Sequence, residues 1–382
     1  MSTRTLLFTE CVDLAGSACK PFSGAKKYVS TGAVDVDHIN EADTEIVDYE
    51  GKPSRANLEA TPGDVLFAKM QDTKKTLMID SALADHIYST GFCAVRAKDG
   101  VLTDRCLYHL LTSKTFLAQK DKNCSGATQK AITNAGLNKI AIQVPSIEEQ
   151  GDIADQLDAI IGIIAKRRQE LTALDNLIKA RFVEMFGDPR NNPNKYAKAQ
   201  LKDTCKVITG NTPSRAVNEY YGDYIEWIKT DNIVSGLLNP TIASEYLSAQ
   251  GVKVGRTVEK GSILMACIAG SIASIGRVCV ANRKVAFNQQ INAIVPQKYN
   301  ELFLYTMLQI SKDYLVEEIN MALKGILSKS KLEEKRFIIP PIELQNEFSE
   351  FYRQLDKSKV AIQKALDEAQ LLFDSLMQKY FG

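Results

Sequence analysis

Apolar positions fall on one helical stripe twice along this chain, and the two stripes share one register. The first runs through Ile153, Leu157, Ile160, Ile164, Arg167, Leu171, Leu174, Ile178, Arg181 and Met185. The second runs through Phe348, Tyr352, Leu355, Lys359, Ile362, Leu366, Ala369, Phe373, Leu376 and Tyr380. Alternating steps of three and four place such residues on one face of a helix. A period of 3.5 kept over several heptads is the pattern of a coiled-coil seam. The stretches containing them, Pro145–Gly187 and Pro340–Gly382, align at an offset of 195 residues without a gap. Pro145, Ile147, Glu148, Gln150, Leu171, Leu177, Phe186 and Gly187 meet identical residues at Pro340, Ile342, Glu343, Gln345, Leu366, Leu372, Phe381 and Gly382. Proline with a following glutamate suits a helix start, and glycine suits its stop. Two unrelated surface helices would have no reason to keep this register. The pattern predicts two long helices of one chain that pack on each other.

Between these stretches the pattern changes to short alternating runs. In residues 1–144 it predicts strands at Lys27–Ser30, Thr44–Asp48, Asp64–Phe67, Thr76–Ile79, Gly91–Arg96 and Lys139–Val144, with a helix over Asp104–Leu117. In residues 188–338 it predicts strands at Leu201–Thr209, Tyr224–Lys229, Gly261–Ile268, Gly276–Ala281 and Arg336–Ile339, with a helix over Leu302–Glu318. Pro62-Gly63-Asp64-Val65-Leu66 matches Lys260-Gly261-Ser262-Ile263-Leu264 as a turn entering a strand. The expected organisation is therefore two half-proteins in tandem: a globular domain over 1–144, a helix over 145–187, a second globular domain over 188–338 and a helix over 339–382.

Composition narrows the class only a little. The chain is 45% hydrophobic and 24% charged, which is ordinary for a soluble globular protein. No run is long and apolar enough for a membrane span, and the N-terminus lacks a signal-peptide layout, so a cytoplasmic protein is expected. The eight cysteines form no Cys-x-x-Cys pair and read as reduced packing residues. A formal net charge of +1 leaves nucleic-acid binding to local patches.

Catalytic patterns are missing from the sequence. There is no Walker A string, no G-x-G-x-x-G and no G-x-S-x-G elbow. Asn192-Pro193-Asn194-Lys195-Tyr196 lacks the second proline of an amino-methyltransferase box and reads as linker. His38, His86 and His109 have no ligand-like spacing, so no metal site is expected.

Binding chemistry is better represented. Lys69, Gln71, Lys74 and Lys75 follow a predicted strand, and Lys122, Thr128, Gln129 and Lys130 lie in the polar loop before the first long helix. The second half offers Thr212, Ser214 and Arg215 in a turn, Lys229 and Asn232 after Trp227, Asn288 and Gln289 in a polar run, and Lys324 and Lys329 before the second long helix. Lysine and arginine hold phosphates, while asparagine, glutamine and arginine read base edges. Any one of these loops could be merely solvated; the same kind of loop recurring before both helices favours DNA.

These residues resemble the DNA-specificity subunit of type I restriction–modification enzymes. The resemblance rests on Val144-Pro145-Ser146-Ile147-Glu148-Glu149-Gln150 and Ile339-Pro340-Pro341-Ile342-Glu343-Leu344-Gln345, on Gly126-Ala127-Thr128-Gln129-Lys130, on Ile208-Thr209-Gly210-Asn211-Thr212-Pro213-Ser214, and on Phe186-Gly187-Asp188. Lys324-Gly325-Ile326-Leu327 departs from the family's Gly-x-Thr-Gln type of string. The resemblance implies an α+β chain with two target-recognition domains separated by two long helices in an antiparallel coiled coil. It implies a non-catalytic subunit that binds double-stranded DNA at a bipartite, asymmetric target and binds no cofactor itself. Its implied partners are modification (methyltransferase) subunits, two of them, which use S-adenosylmethionine, and restriction (motor–nuclease) subunits, which use ATP and Mg2+. The competing readings are a protein-binding scaffold with two globular heads, and an enzyme with an unrecognised site.

Overall fold

The computed structural model describes residues 3–317, 319 and 325–382. The two stripes form single helices, Ile147–Phe186 and Ile342–Phe381, and these bounds repeat at the same offset as the sequences. Each spans ~60 Å at 1.5 Å per residue. The first stops at Gly187, whose φ of +74° lets its N–H reach the Val183 carbonyl at 2.8 Å. A Cβ there would lie 2.3 Å from the Pro193 ring, so this left-handed cap needs glycine.

The chain divides into two compact units, and each long helix is shared between them. One unit contains Met1–Arg168 with Lys364–Gly382, the other Gln169–Gln363. The globular and helical segments expected from sequence are thus not separate bodies, because half of each helix is built into each core. In the first unit, Ile153 and Leu157 share a core with Met377, Tyr380 and Phe381. In the second, Ile178, Phe182 and Phe186 share a core with Phe348 and Tyr352. Within each unit, therefore, the two helices pack antiparallel.

The seam follows the predicted stripe, with one drift. Ile153, Leu157, Ile160, Ile164, Ile178, Phe348 and Tyr352 are buried, and Leu171, Leu174, Leu355, Ile362, Leu366, Phe373 and Leu376 are half-buried. Beyond Ile178 the core side is taken by Phe182 and Phe186, where the strict heptad predicted Arg181 and Met185. A helix of 3.6 residues per turn moves off a 3.5 repeat, and four phenylalanines exploit the shift. Phe182 lies 5.2 Å from Phe303 and 5.3 Å from Phe348 between ring centroids, and Phe186 lies 4.8 Å from Phe303. Arg181 instead pairs at the surface with Glu184 at 2.9 Å and Glu347 at 3.2 Å.

The globular parts repeat each other strand for strand. In the first unit one sheet has the order Val12–Ala15, Phe92–Ala97, Val65–Ala68, Thr76–Met78, all antiparallel. The second-unit counterpart has Cys205–Thr209, Ile291–Pro296, Ile263–Ala266, Val278–Val280. Another sheet places Glu45–Val47, Lys26–Val29, Ile87–Ser89 and Ala56–Leu58 in order, with a parallel pair at its centre. Its counterpart is Tyr246–Leu247, Tyr221–Ile228, Val285–Phe287 and Thr257–Val258. The ribbons Thr3–Leu7 with Ala141–Pro145 and Lys198–Gln200 with Arg336–Ile338 lead into the two long helices.

The single helices expected at Asp104–Leu117 and Leu302–Glu318 are each two helices, and Glu318 lies outside the described residues. The breaks fall at Ser113, between Asp104–Thr112 and Lys114–Lys122, and at Ser311, between Glu301–Ile310 and Lys312–Val316. Ser113 has extended φ and ψ, and its hydroxyl accepts from the Phe116 N–H at 3.1 Å. It ends one helix by capping the next.

The identical glutamines of the repeat fasten each long helix to its globular part. Gln150 is fully buried; its Oε1 accepts from the Thr103 N–H at 2.8 Å, and its Nε2 donates to the Val101 and Pro145 carbonyls at 2.9 and 3.1 Å. Gln345 accepts from the Asn300 N–H at 3.0 Å and donates to the Pro340 carbonyl at 2.8 Å. Thr103 and Asn300 are the N-caps of corresponding helices. A buried amide at this position satisfies backbone groups that neither element could satisfy alone.

Candidate nucleic-acid interface

In the first unit the structure brings the two predicted lysine loops together. The Gln71 N–H donates to the Lys130 carbonyl at 3.0 Å, and the Ile132 N–H donates to the Lys69 carbonyl at 2.9 Å. Met70 and Ser125 each bridge to Ala131. Gln129 Nε2 lies 3.1 Å from Met70 Sδ. Beneath the pair sits Lys120, fully buried, whose ammonium donates to the Met70 carbonyl at 2.7 Å and the Thr73 carbonyl at 3.1 Å and pairs with Asp121 at 2.8 Å. The tight return at Gly126 has φ of +135°, and a Cβ would meet the Gln129 carbonyl oxygen at 2.5 Å. The outcome is a braced surface on which Lys74, Lys122, Thr128, Gln129 and Lys130 are exposed, with Lys69 and Gln71 half-buried. Lys75 is turned aside: its Nζ donates to the Thr31 carbonyl at 2.7 Å.

The second unit repeats this pairing at positions that residue type did not single out. Ile268–Ala269 pairs antiparallel with Gly325–Ile326, and the Leu327 N–H donates to the Cys267 carbonyl at 2.8 Å. The loop corresponding to Gln71–Lys75 is therefore the one running from Gly270 towards Arg277. It carries Ser271, Ile272 and Ser274, with Ile272 and Ile326 exposed. The matched turns at Gly63 and Gly261 pointed to it. Its lack of lysines hid it.

The turn holding Thr212, Ser214 and Arg215 is pinned by Asn211. Asn211 Nδ2 donates to the Val254 carbonyl at 2.8 Å, and its Oδ1 accepts from the Arg256 N–H at 2.8 Å. Thr212 hydrogen-bonds to the exposed Gln289, and Ser214 is exposed. The Arg215 guanidinium lies 4.4 Å from the Tyr221 ring and 5.2 Å from that of Trp227, and it pairs with Glu245 at 2.5 Å. Lys229 pairs with the same carboxylate and lies 5.3 Å from the Trp227 ring. The Lys229 hydrogen bond, followed by that of Arg215, holds Glu245 below the usual carboxylate range. The two cations share one carboxylate, so the cluster keeps a net positive charge.

Two residues expected to read bases are buried, with their amides engaged inside the chain. Asn232 is 7% exposed; its Oδ1 accepts from the Lys229 N–H at 3.0 Å, and its Nδ2 donates to Thr241 Oγ1 at 3.1 Å. Asn288 is 5% exposed, accepts from the Gln290 N–H at 3.1 Å and donates to Gln290 Oε1 at 3.1 Å. Asparagine favours such local turns, and these two spend their polar atoms on them. Lys329 is exposed but pairs with Glu333 at 3.5 Å. Lys324 lies outside the described residues. Among the described residues no cluster of metal-ligating side chains occurs, and no helix is long and apolar enough to cross a membrane.

The model of the type I restriction modification DNA specificity domain matches residues 17–173 and 193–370, once in each half. The chain belongs to the DNA-specificity family of type I restriction–modification systems. The MjaIX specificity subunit of Methanocaldococcus jannaschii is 25% identical over 312 residues, covering 76% of this chain and 70% of that one. The HindI specificity subunit of Haemophilus influenzae is 22% identical over 358 residues, covering 74% and 76%. Two solved structures share the fold. The type I restriction–modification S subunit of M. genitalium has a TM-score of 0.60 at 14% identity, covering 100% of this chain and 96% of that one. A chain solved in work on complex assembly and conformational transition of the type I system has a TM-score of 0.56 at 22% identity, covering 99% and 97%. Membership makes this specificity subunit the DNA-recognition component of its system rather than a catalytic one. The family also implies DNA together with methyltransferase and restriction partners.

Proposed function

We propose that this specificity subunit reads a bipartite, asymmetric DNA target, one half-site by each globular repeat. The observation that carries the reading is the pair of adjoining loops that recurs at the same place in both units. In the first unit, Lys74, Lys122 and Lys130 would hold backbone phosphates, and Thr128 and Gln129 would meet base edges. In the second, Thr212, Ser214 and Gln289 offer exposed hydrogen-bonding groups, while Arg215 and Lys229 position the turn through Trp227 and Glu245. The chain would bind no cofactor itself. S-adenosylmethionine would enter with two modification subunits, and ATP and Mg2+ with restriction subunits.

The test combines the chain with its modification subunits and maps which bases become methylated. Lys74→Ala with Lys130→Ala should weaken binding to every duplex and reduce the salt slope by ~0.9 for each phosphate no longer neutralised. Gln129→Ala should instead relax preference in one half-site. Unchanged affinity, slope and preference in both variants would place the DNA face elsewhere.

A further inference from the structure

The second unit contains a cleft of about 260 Å3 between its segments of the long helices and the helix Glu301–Ile310. Its charged lining is Asp175, Lys179, Arg277, Lys312 and Lys359. Lys359 is nearly buried, and its ammonium donates to Asp175 Oδ1 at 2.6 Å and to the Gly236 carbonyl at 3.2 Å. That uses the only carboxylate among the described residues of the lining. Lys312 Nζ is held by the Ala273 carbonyl at 2.5 Å, and Arg277 Nε by the Ser274 carbonyl at 3.2 Å. Carbonyls fix these groups in place without cancelling their charge. Lys179 projects from the first long helix, and none of these three cations pairs with a carboxylate among the described residues.

The repeat shows what normally fills this place. Ser311-Lys312 repeats Ser113-Lys114, and Lys179 stands one repeat offset before Asp374. In the first unit Lys114 Nζ pairs with Asp374 Oδ2 at 2.9 Å, beside a cleft of only about 60 Å3. That hydrogen bond is the largest cause holding Asp374 below the usual carboxylate range. In the second unit the carboxylate position is a lysine and the cleft is larger. Like charges sharing a recess walled by Tyr305 and Tyr352 focus a positive field into it.

We propose that this cleft binds a phosphoryl group, which takes the place of the missing carboxylate between Lys179 and Lys312, with Arg277 as a further donor. The group belongs either to the DNA backbone or to a free phosphorylated solute. The recess, its fixed cations and the Gln309 amide on its wall suit a compact multivalent anion.

Thermal unfolding of the full chain in pyrophosphate, against chloride of equal ionic strength, tests this without DNA. Wild type should melt higher in pyrophosphate, with a shift that grows with the logarithm of its concentration. Lys179→Asp restores the ion pair of the first unit, so it should melt higher in chloride and lose the pyrophosphate shift. Lys179→Gln should reduce the shift. Equal melting of wild type in both salts, or an undiminished shift in Lys179→Asp, overturns the proposal. Binding to a duplex of arbitrary sequence then separates the sources. A backbone phosphate predicts weaker binding and a salt slope lowered by ~0.9 in Lys179→Asp. A free solute predicts wild-type DNA affinity with the pyrophosphate shift gone. Because the first arm contains no DNA, failure of the DNA-reading assignment would leave it standing.

Discussion

The two units share one topology but distribute charge in opposite ways. The first gathers its lysines on the surface of its adjoining loops and neutralises the recess beside its helices through Lys114 and Asp374. The second has small and apolar residues on the corresponding loop and leaves its recess cationic. The second unit's core holds an aromatic cluster, Phe182, Phe186, Phe303 and Phe348, whereas Cys106 and Leu110 occupy the first unit's counterparts of Phe303 and Met307. A duplicated fold constrains the strand order and the helix seam. It leaves loop composition and helix-flank charge free to diverge, and the proposed reading of two different half-sites would use that freedom.

The strongest way to break the comparison is to remove one copy. Residues 1–187 retain Ile153 and Leu157 but lack Met377, Tyr380 and Phe381, which share their core. The uncovered stripe should drive two fragments together. Phe182 and Phe186 stand at the repeat positions of Met377 and Phe381, so a second copy can supply the missing packing about a true two-fold axis. Sedimentation should give a dimer. With modification subunits, methylation mapping should give an inverted repeat of the first half-site. A monomer with an intact helix, or a dimer that still needs the asymmetric target, would contradict the two-half reading.

Within the second unit, Phe182→Ala should cost ~3–5 kcal/mol, because it empties the centre of a packed aromatic cluster. Leu177→Ala, on the exposed flank of the same helix, should cost under ~0.5 kcal/mol. Denaturant unfolding of the two variants compares core with flank directly. Similar losses would mean that the seam lies elsewhere.

The glutamine clamps should be nearly interchangeable between units. Gln150→Ala and Gln345→Ala each strand buried backbone groups, at ~1–3 kcal/mol. Local hydrogen exchange should rise at Thr103 in one variant and at Asn300 in the other. If exchange rises equally at both sites in either variant, the clamps are not local to their units.

The helices were legible in the sequence because their pattern is long and periodic, and a repeat doubles the signal. Short strands were legible where turns bracket them. Val285–Phe287 and Ile291–Pro296 were missed because a polar run, Asn288-Gln289-Gln290, separates two buried strands and resembles an exposed loop. The candidate site was legible by residue type in the first unit, where lysines mark the loops. In the second unit residue type misled. Asn232 and Asn288 are buried turn residues, Arg215 and Lys229 share Glu245, and the loop from Gly270 to Arg277 shows its place through its matched turn and its strand pairing rather than its residue types. Composition reports which groups are available, whereas pairing decides which remain unspent.

The smallest expected difference is a pH dependence confined to the first unit. His109 is fully buried, and its Nε2 donates to Asp158 Oδ1 at 2.8 Å. Asp158 also binds Arg105, which pairs with Asp155 at 2.7 Å. His109 Nδ1 is buried with no partner among the described residues. Protonation would place an N–H there with no acceptor. Burial accordingly lowers the folded pKa from its ordinary 6.5, outweighing the pull of Asp158. The unfolded chain therefore binds the proton first as pH falls. Stability should be full above about pH 6.5 and should decline below it, down to the folded pKa. Thr306 occupies the repeat position in the second unit and does not titrate in this range. Exchange-detected opening of the first unit should thus steepen as the pH falls below about 6.5, relative to the second. His109→Met should flatten that difference, at some loss of stability at neutral pH because Asp158 loses a donor. An unchanged slope in the variant would assign the dependence to His86 instead, whose pKa burial also lowers.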